Sequence, residues 1–109
     1  MEFPASIKTN EDILQAFVTA APYINQFTAE DAAVAVTDRE KFLCYLSGKD
    51  VDMKVKVGDS VNERILRCLH AGHPVVEDID ASLHGIYLKS MNTPIHGING
   101  EVIGLFISA

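Results

Sequence analysis

The dipeptide Asn99-Gly100 constrains this chain more than any other feature, because it stands between two apolar runs, Ile86 to Ile95 and Glu101 to Ser108. Asn and Gly tolerate positive φ, the backbone conformation that tight hairpin turns demand. The two runs are therefore expected to pair as antiparallel strands. So paired, Glu101 to Ala109 becomes a central strand of a sheet. Val102-Ile103-Gly104-Leu105-Phe106-Ile107-Ser108-Ala109 carries no polar tail, which leads us to expect a piece cut from a longer protein whose output begins after this strand.

The rest of the chain supplies elements to surround that hairpin. After a tail over residues 1–10, Thr9-Asn10-Glu11-Asp12 offers a capping residue and early carboxylates, which suit the donor-rich end of a helix. Ile13, Leu14, Phe17, Val18, Ala21 and Ile24 recur at helical spacing, predicting a helix from about Glu11 to Asn25 that Pro22 should kink or divide. The period then changes: Ala32 to Thr37 and Lys41 to Leu46, separated by Asp38-Arg39-Glu40, read as a hairpin. Met53-Lys54-Val55-Lys56-Val57 alternates strictly, as an edge strand or extended segment would. Ser60 is expected to cap a second helix of about three turns that carries Val61, Ile65, Leu66, Cys68 and Leu69 and ends at Gly72. Pro74 to Ile79 reads as a strand and Asp80 to Gly85 as a loop. Helix, two strands, an extended segment, helix and three strands suit an antiparallel α+β sheet with helices on one side, not alternating βαβ units. Residues 11–109 form one domain on this reading.

Composition agrees with that and excludes several functions. The 109 residues are 48% hydrophobic and 22% charged, an ordinary globular balance at a size that needs only one core. Fifteen acidic against nine basic residues give a formal net charge of -6, and the basic ones are dispersed. They form no stripe able to follow a phosphate backbone, so no nucleic-acid partner is expected. Apolar stretches such as Ala32 to Val36 fall far short of the roughly 20 residues of a membrane helix. No signal-like segment opens the chain, so we expect a cytoplasmic protein with no direct membrane contact.

Chemistry-bearing residues point to binding. Cys44 and Cys68 sit among apolar neighbours and belong to no CxxC pair, so buried free thiols are expected. Of the four histidines, His70 and His73 are separated by a helix break at Gly72-His73-Pro74, and His96 belongs to the turn. No metal cluster follows. His84, ahead of the strand bearing Tyr87 and Lys89, is the one candidate for an axial haem ligand. No nucleophile elbow, phosphate loop or HExxH pattern is present, so no enzyme is expected. A small sheet under a covering helix can enclose an apolar pocket with a few convergent polar groups. Tyr45, Lys54, Tyr87 and Lys89 are candidate polar handles, with Phe42 and Met91 as walls; the alternative is a filled core with these groups at its rim.

Three segments then bear a resemblance: Ala33-Val34-Ala35-Val36-Thr37-Asp38-Arg39-Glu40-Lys41-Phe42, Lys54-Val55-Lys56-Val57-Gly58-Asp59, and Asn92-Thr93-Pro94-Ile95-His96-Gly97-Ile98-Asn99-Gly100-Glu101-Val102-Ile103-Gly104. Together they resemble the PAS/Cache-like N-terminal sensor module of soluble bacterial methyl-accepting chemotaxis receptors, over about Ile13 to Ala109. The resemblance implies a five-stranded antiparallel sheet, a ligand cavity between sheet and second helix, a homodimer through the N-terminal helix on its Phe17, Val18 and Ile24 face, and a C-terminal signalling domain. Gly85-Ile86-Tyr87-Leu88-Lys89, with His84 in front, occupies the place of the family's glycine-rich segment before the pocket strand. The scaffold does not choose among a small organic molecule, haem, flavin or no ligand, so a ligand-free dimerisation module and a haem sensor stand as alternatives.

Overall fold

The computed structural model describes residues 2–28, 31–79 and 88–109. Helix α1 (Asn10–Phe27) begins with a capping box: Thr9 Oγ1 accepts the Asp12 N–H at 3.1 Å, and Asp12 Oδ2 accepts the Thr9 N–H at 3.0 Å. Orphan donors at the helix start are thereby satisfied. The helix runs through Pro22 without dividing. Up to that point its inner face is held by packing, with Ile13, Phe17, Val18 and Ala21 gathered against Val34, Val36, Ile95 and Ile103, and beyond it Asn25 Nδ2 donates to Ala32 O at 2.9 Å.

Five strands follow the expected scheme: β1 (Val34–Thr37), β2 (Phe42–Leu46), β3 (Val75–Ile79), β4 (Leu88–His96) and β5 (Val102–Ser108). They form one antiparallel sheet in the order β2-β1-β5-β4-β3. The final strand is central, as its apolar run predicts. At the β4–β5 turn, the Gly97 N–H donates to Glu101 O at 2.7 Å and the Gly100 N–H to Gly97 O at 3.0 Å. Gly100 alone takes positive φ, at 85°. Asn99 does not, because the loop places a single left-handed residue after an ordinary turn, where a two-residue primed turn would need two.

Helix α2 (Glu63–Ala71) is capped by Asn62, whose side chain accepts the Ile65 N–H at 2.9 Å. The cap falls two residues beyond Ser60, which instead forms an isolated bridge with Lys41. The alternating segment Met53 to Val57 is not a strand. Side chains take its donors: Met53 N–H goes to Tyr45 Oη, Lys54 N–H to Asp52 Oδ1 and Lys56 N–H to Asp59 Oδ2, each at 2.7–2.8 Å. Such local bonds compete with ladder pairing, and Lys54 sits at φ 57°.

The helices cover opposite faces of the sheet, not one. Successive residues of a strand point to opposite faces. On β1, Val34 and Val36 join the α1 cluster, whereas Ala35 packs with Ile65, Cys68 and Leu69 of α2. All four β1 residues are therefore buried, and a run apolar on both faces reads the same whichever side carries the helices. Phe17 and Val18, expected at a dimer face, point inward to the sheet. The outer surface of α1 instead exposes Tyr23 at 72% and Phe27 at 93%.

Candidate functional site

Beneath α2, the alternation of β4 creates a polar floor inside an otherwise apolar interior. Leu88, Ser90 and Asn92 are buried while Lys89, Met91 and Thr93, each one position further on, are exposed. Ser90 and Asn92 are each 0% exposed. Buried polar groups must be partnered, and these hold one another: Asn92 Nδ2 donates to Val75 O at 3.2 Å, and Ser90 Oγ donates to Asn92 Oδ1 at 3.3 Å. From above, Arg64 Nη1 of α2 reaches the same Asn92 oxygen at 3.4 Å. Arg64 Nε is buried with no hydrogen-bond partner among the described residues.

One turn further along α2, Cys68 Sγ donates to Glu77 Oε1 of β3 at 3.0 Å. Burial first, then the Glu77 carboxylate, pushes this thiol up to about 11. A cleft of about 210 Å³ opens here between α2 and β3, lined by Arg67, Cys68, Ala71, Val75 and Glu77. Apolar clusters flank the floor: Phe42, Ile65, Leu69, Leu105 and Ile107 on one side, and Ala33, Met53, Ile79 and Leu88 on the other. Tyr45 packs against both clusters. Its hydroxyl donates to Asp52 Oδ1 at 2.7 Å, and burial followed by that carboxylate raises its pKa to about 12.

The expected site residues divide between the two faces. Phe42 and Tyr45 lie on the α2 side. Lys89 and Met91 point to the opposite face, where they border a pocket of about 270 Å³ with Val76, Ser108 and Ala109. Lys54 is exposed in the segment after β2. His84 and Tyr87, and with them the haem reading, lie outside the described residues. The sequence reading passed over Arg64, Ser90 and Asn92. In Leu88-Lys89-Ser90-Met91-Asn92 the inward positions after Leu88 are polar and the outward Met91 is apolar, so hydropathy alone indicates the wrong face.

Other features of the described residues are distinct from this cluster. A mainly apolar groove of about 420 Å³ on the α1 side is lined by residues including Phe3, Ile13, Phe17, Pro94 and His96. No group of three or more His, Cys, Asp or Glu side chains among the described residues is arranged to hold a metal ion. No helix among them is long and apolar enough to cross a membrane.

Element order, sheet order and the covering helices define an α+β domain consistent with the PAS-like class. No family model matches the sequence. Over 99 residues, 89% of this chain, the sequence is 32% identical to the Bacillus subtilis (strain 168) protein named "Putative sensory transducer protein YfmS". The chain spans 35% of the length of that relative.

Proposed function

We propose that this chain is a sensory input domain of a bacterial signal-transduction protein of the chemotaxis type, binding a small ligand between the sheet and α2. Two findings support a sensory role: the PAS-like sheet and the similarity to a protein named as a sensory transducer. The observation that carries the ligand reading is the polar floor of Ser90 and Asn92, wholly buried under Arg64 between two apolar clusters. A domain held together by packing alone has little use for a buried polar network that leaves one donor, Arg64 Nε, without a partner among the described residues, whereas a binding pocket needs a few convergent polar groups in an apolar frame.

In this reading the role is binding, not catalysis, and the protein works in the cytoplasm. Floor and output are adjacent: Asn92 is paired across the ladder with Ile107 of β5, and β5 also carries Phe106, whose ring stands 5.8 Å from that of Phe17 on α1. A ligand that draws α2 and β4 together would bias the packing of α1 and the end of β5, and so the presentation of a C-terminal signalling domain in a homodimer paired through α1. A thermal-shift screen of the 109-residue chain against small metabolites tests this. Stabilisation by a ligand whose effect is lost in Asn92→Leu, with Ser90→Ala as the milder variant, is the expected result. No stabilisation by any compound would contradict it.

A specific observation favours the ligand-free dimerisation module as a second reading. Tyr23 and Phe27 are exposed on the outer face of α1, and such a stripe fits association whether or not a ligand binds.

A further inference from the structure

We infer that the groove between the start of α1 and the β4–β5 turn is a second ligand site, which takes a small uncharged aromatic molecule bearing one N–H or O–H donor, of the indole or phenol class. It lies on the opposite face of the sheet from α2 and does not depend on a ligand there. The groove holds about 420 Å³, at the small end of the range of roughly 300–1,000 Å³ in which single small ligands sit. Its lining includes the buried Ile13 and Pro94, the half-buried Phe3 and Phe17, and the more exposed Ile98 and His96. The phenyl rings of Phe3 and Phe17 favour an aromatic occupant, because ring pairs gain attraction beyond the area they bury.

His96 sets the polar chemistry. Its Nδ1 lies 3.0 Å from Gly100 O. A carbonyl oxygen only accepts, so Nδ1 carries the hydrogen and the neutral ring keeps Nε2 as a bare acceptor. Among the described residues no group donates to that nitrogen. An acceptor at the edge of an apolar slot selects a ligand that brings a donor. Charge on the ligand is selected against twice. The Glu101 carboxylate lies against Gly97, itself part of the lining, and repels an anion; apolar walls make any charge costly to desolvate. The same turn is tied to α1, since Asn10 Oδ1 accepts the Ile98 N–H at 2.9 Å. A ring seated beside Ile98 would therefore act on the contact between α1 and the hairpin.

The test is a set of ¹H–¹⁵N titrations of the 109-residue chain with indole and phenol, each against its methylated analogue without the donor, 1-methylindole and anisole, and with benzoate. Indole or phenol is expected to shift the amides of Phe17, Gly97 and Ile98 saturably, and the tighter of the two identifies the ring system. The methylated analogue should bind roughly 3- to 10-fold more weakly, the loss expected for one neutral hydrogen bond, and benzoate more weakly than phenol. His96→Leu should bring indole and phenol down to the level of their analogues while leaving the analogues unchanged, a pattern that loss of the fold would not give. Analogues that bind as tightly as the parent compounds, or shifts centred on Ser90 and Asn92, would overturn the assignment. Groove shifts that appear on raising the protein concentration alone would overturn it too, by showing that a second copy covers the groove. So would the lack of a saturable shift from indole or phenol up to roughly 1 mM, an affinity within reach of a ligand of about ten heavy atoms. The α2 reading is decided separately, by the Asn92→Leu comparison above.

Discussion

Gly104 of β5 lies against Thr37 of β1 so closely that a Cβ would overlap the Thr37 carbonyl oxygen, with Leu14 of α1 also at its limit. The obstacle is backbone in the centre of the sheet, so neither strand can yield cheaply. Gly104→Ala should destabilise the fold by about 2–4 kcal/mol, as overpacking of a rigid interior does. Urea denaturation monitored by circular dichroism measures it; stability within about 0.5 kcal/mol of the parent would show that the approach is looser than described.

The Tyr45 hydroxyl bridges Asp52 and the Met53 amide, and it is expected to pin the non-strand segment after β2. Tyr45→Phe leaves the buried Met53 N–H without its acceptor and should cost about 1–2 kcal/mol. Amide exchange at Met53 should accelerate in parallel. Unchanged protection there would argue that another group holds the segment.

Alkaline stability follows from two groups. Tyr45 is raised from 10.0 to about 12 and Cys68 from 9.0 to about 11, in both cases first by burial and then by a carboxylate partner. A group whose folded pKa is raised contributes stability that is complete below its unfolded value and is lost as the pH rises through the folded value. Stability should therefore fall between about pH 9 and pH 12. Cys68→Ser should remove the lower part of that decline and Tyr45→Phe the upper part. The same protonated thiol should react slowly with disulfide reagents at neutral pH. Rapid labelling of Cys68 in the native protein would contradict the buried Cys68–Glu77 bond.

Acid lability has a different source. Asp31 accepts the N–H groups of Asp50, Lys49 and Val51, which hold its carboxyl below the ordinary 3.8, and Asp12 is lowered by the Lys8 and Thr9 amides at the start of α1. A depressed folded pKa contributes stability present above the unfolded value and lost as the pH falls through the folded one. Melting temperature should drop below about pH 4, and Asp31→Asn should flatten that slope. A slope unaltered by Asp31→Asn, in both direction and steepness, would exclude the Asp31 clamp as its cause.

Most of the architecture was legible because its signals are local. The Thr9–Asp12 cap, the period of α1, and the runs on either side of Asn99-Gly100 each depend on neighbours within a few residues. Placing α2 opposite α1 was not legible, since Val34-Ala35-Val36-Thr37 is buried on both faces. The Met53–Val57 segment misled for the converse reason: its alternation is genuine, but Tyr45, Asp52 and Asp59 bind its amides and no neighbouring strand does. The candidate site was the least readable part. Phe42 and Tyr45 were found by their aromatic character, whereas Ser90 and Asn92 gain meaning only through a helix residue 26 or more positions earlier in the chain, Arg64.

The proposed self-association through α1 would use its outer face, where Tyr23 and Phe27 are exposed. Tyr23→Ser with Phe27→Ser should shift the chain to monomer in sedimentation velocity, while Phe17→Ser, which points inward against Phe106, should instead lower stability. A parent protein that sediments as a monomer at high concentration, or a double variant that still dimerises, would remove α1 as the pairing surface.

The most direct test of the proposed ligand binding under α2 is a two-dimensional ¹H–¹⁵N spectrum of the chain, recorded with and without the compound that stabilises it most in the thermal-shift screen. Perturbations are expected to centre on the Arg64 Nε–H and the amides of Ser90, Asn92 and Cys68, and to extend along β5 to Phe106 and into α1. Shifts confined to the groove formed by Phe3, Phe17, Pro94 and His96 on the other face of the sheet would contradict it.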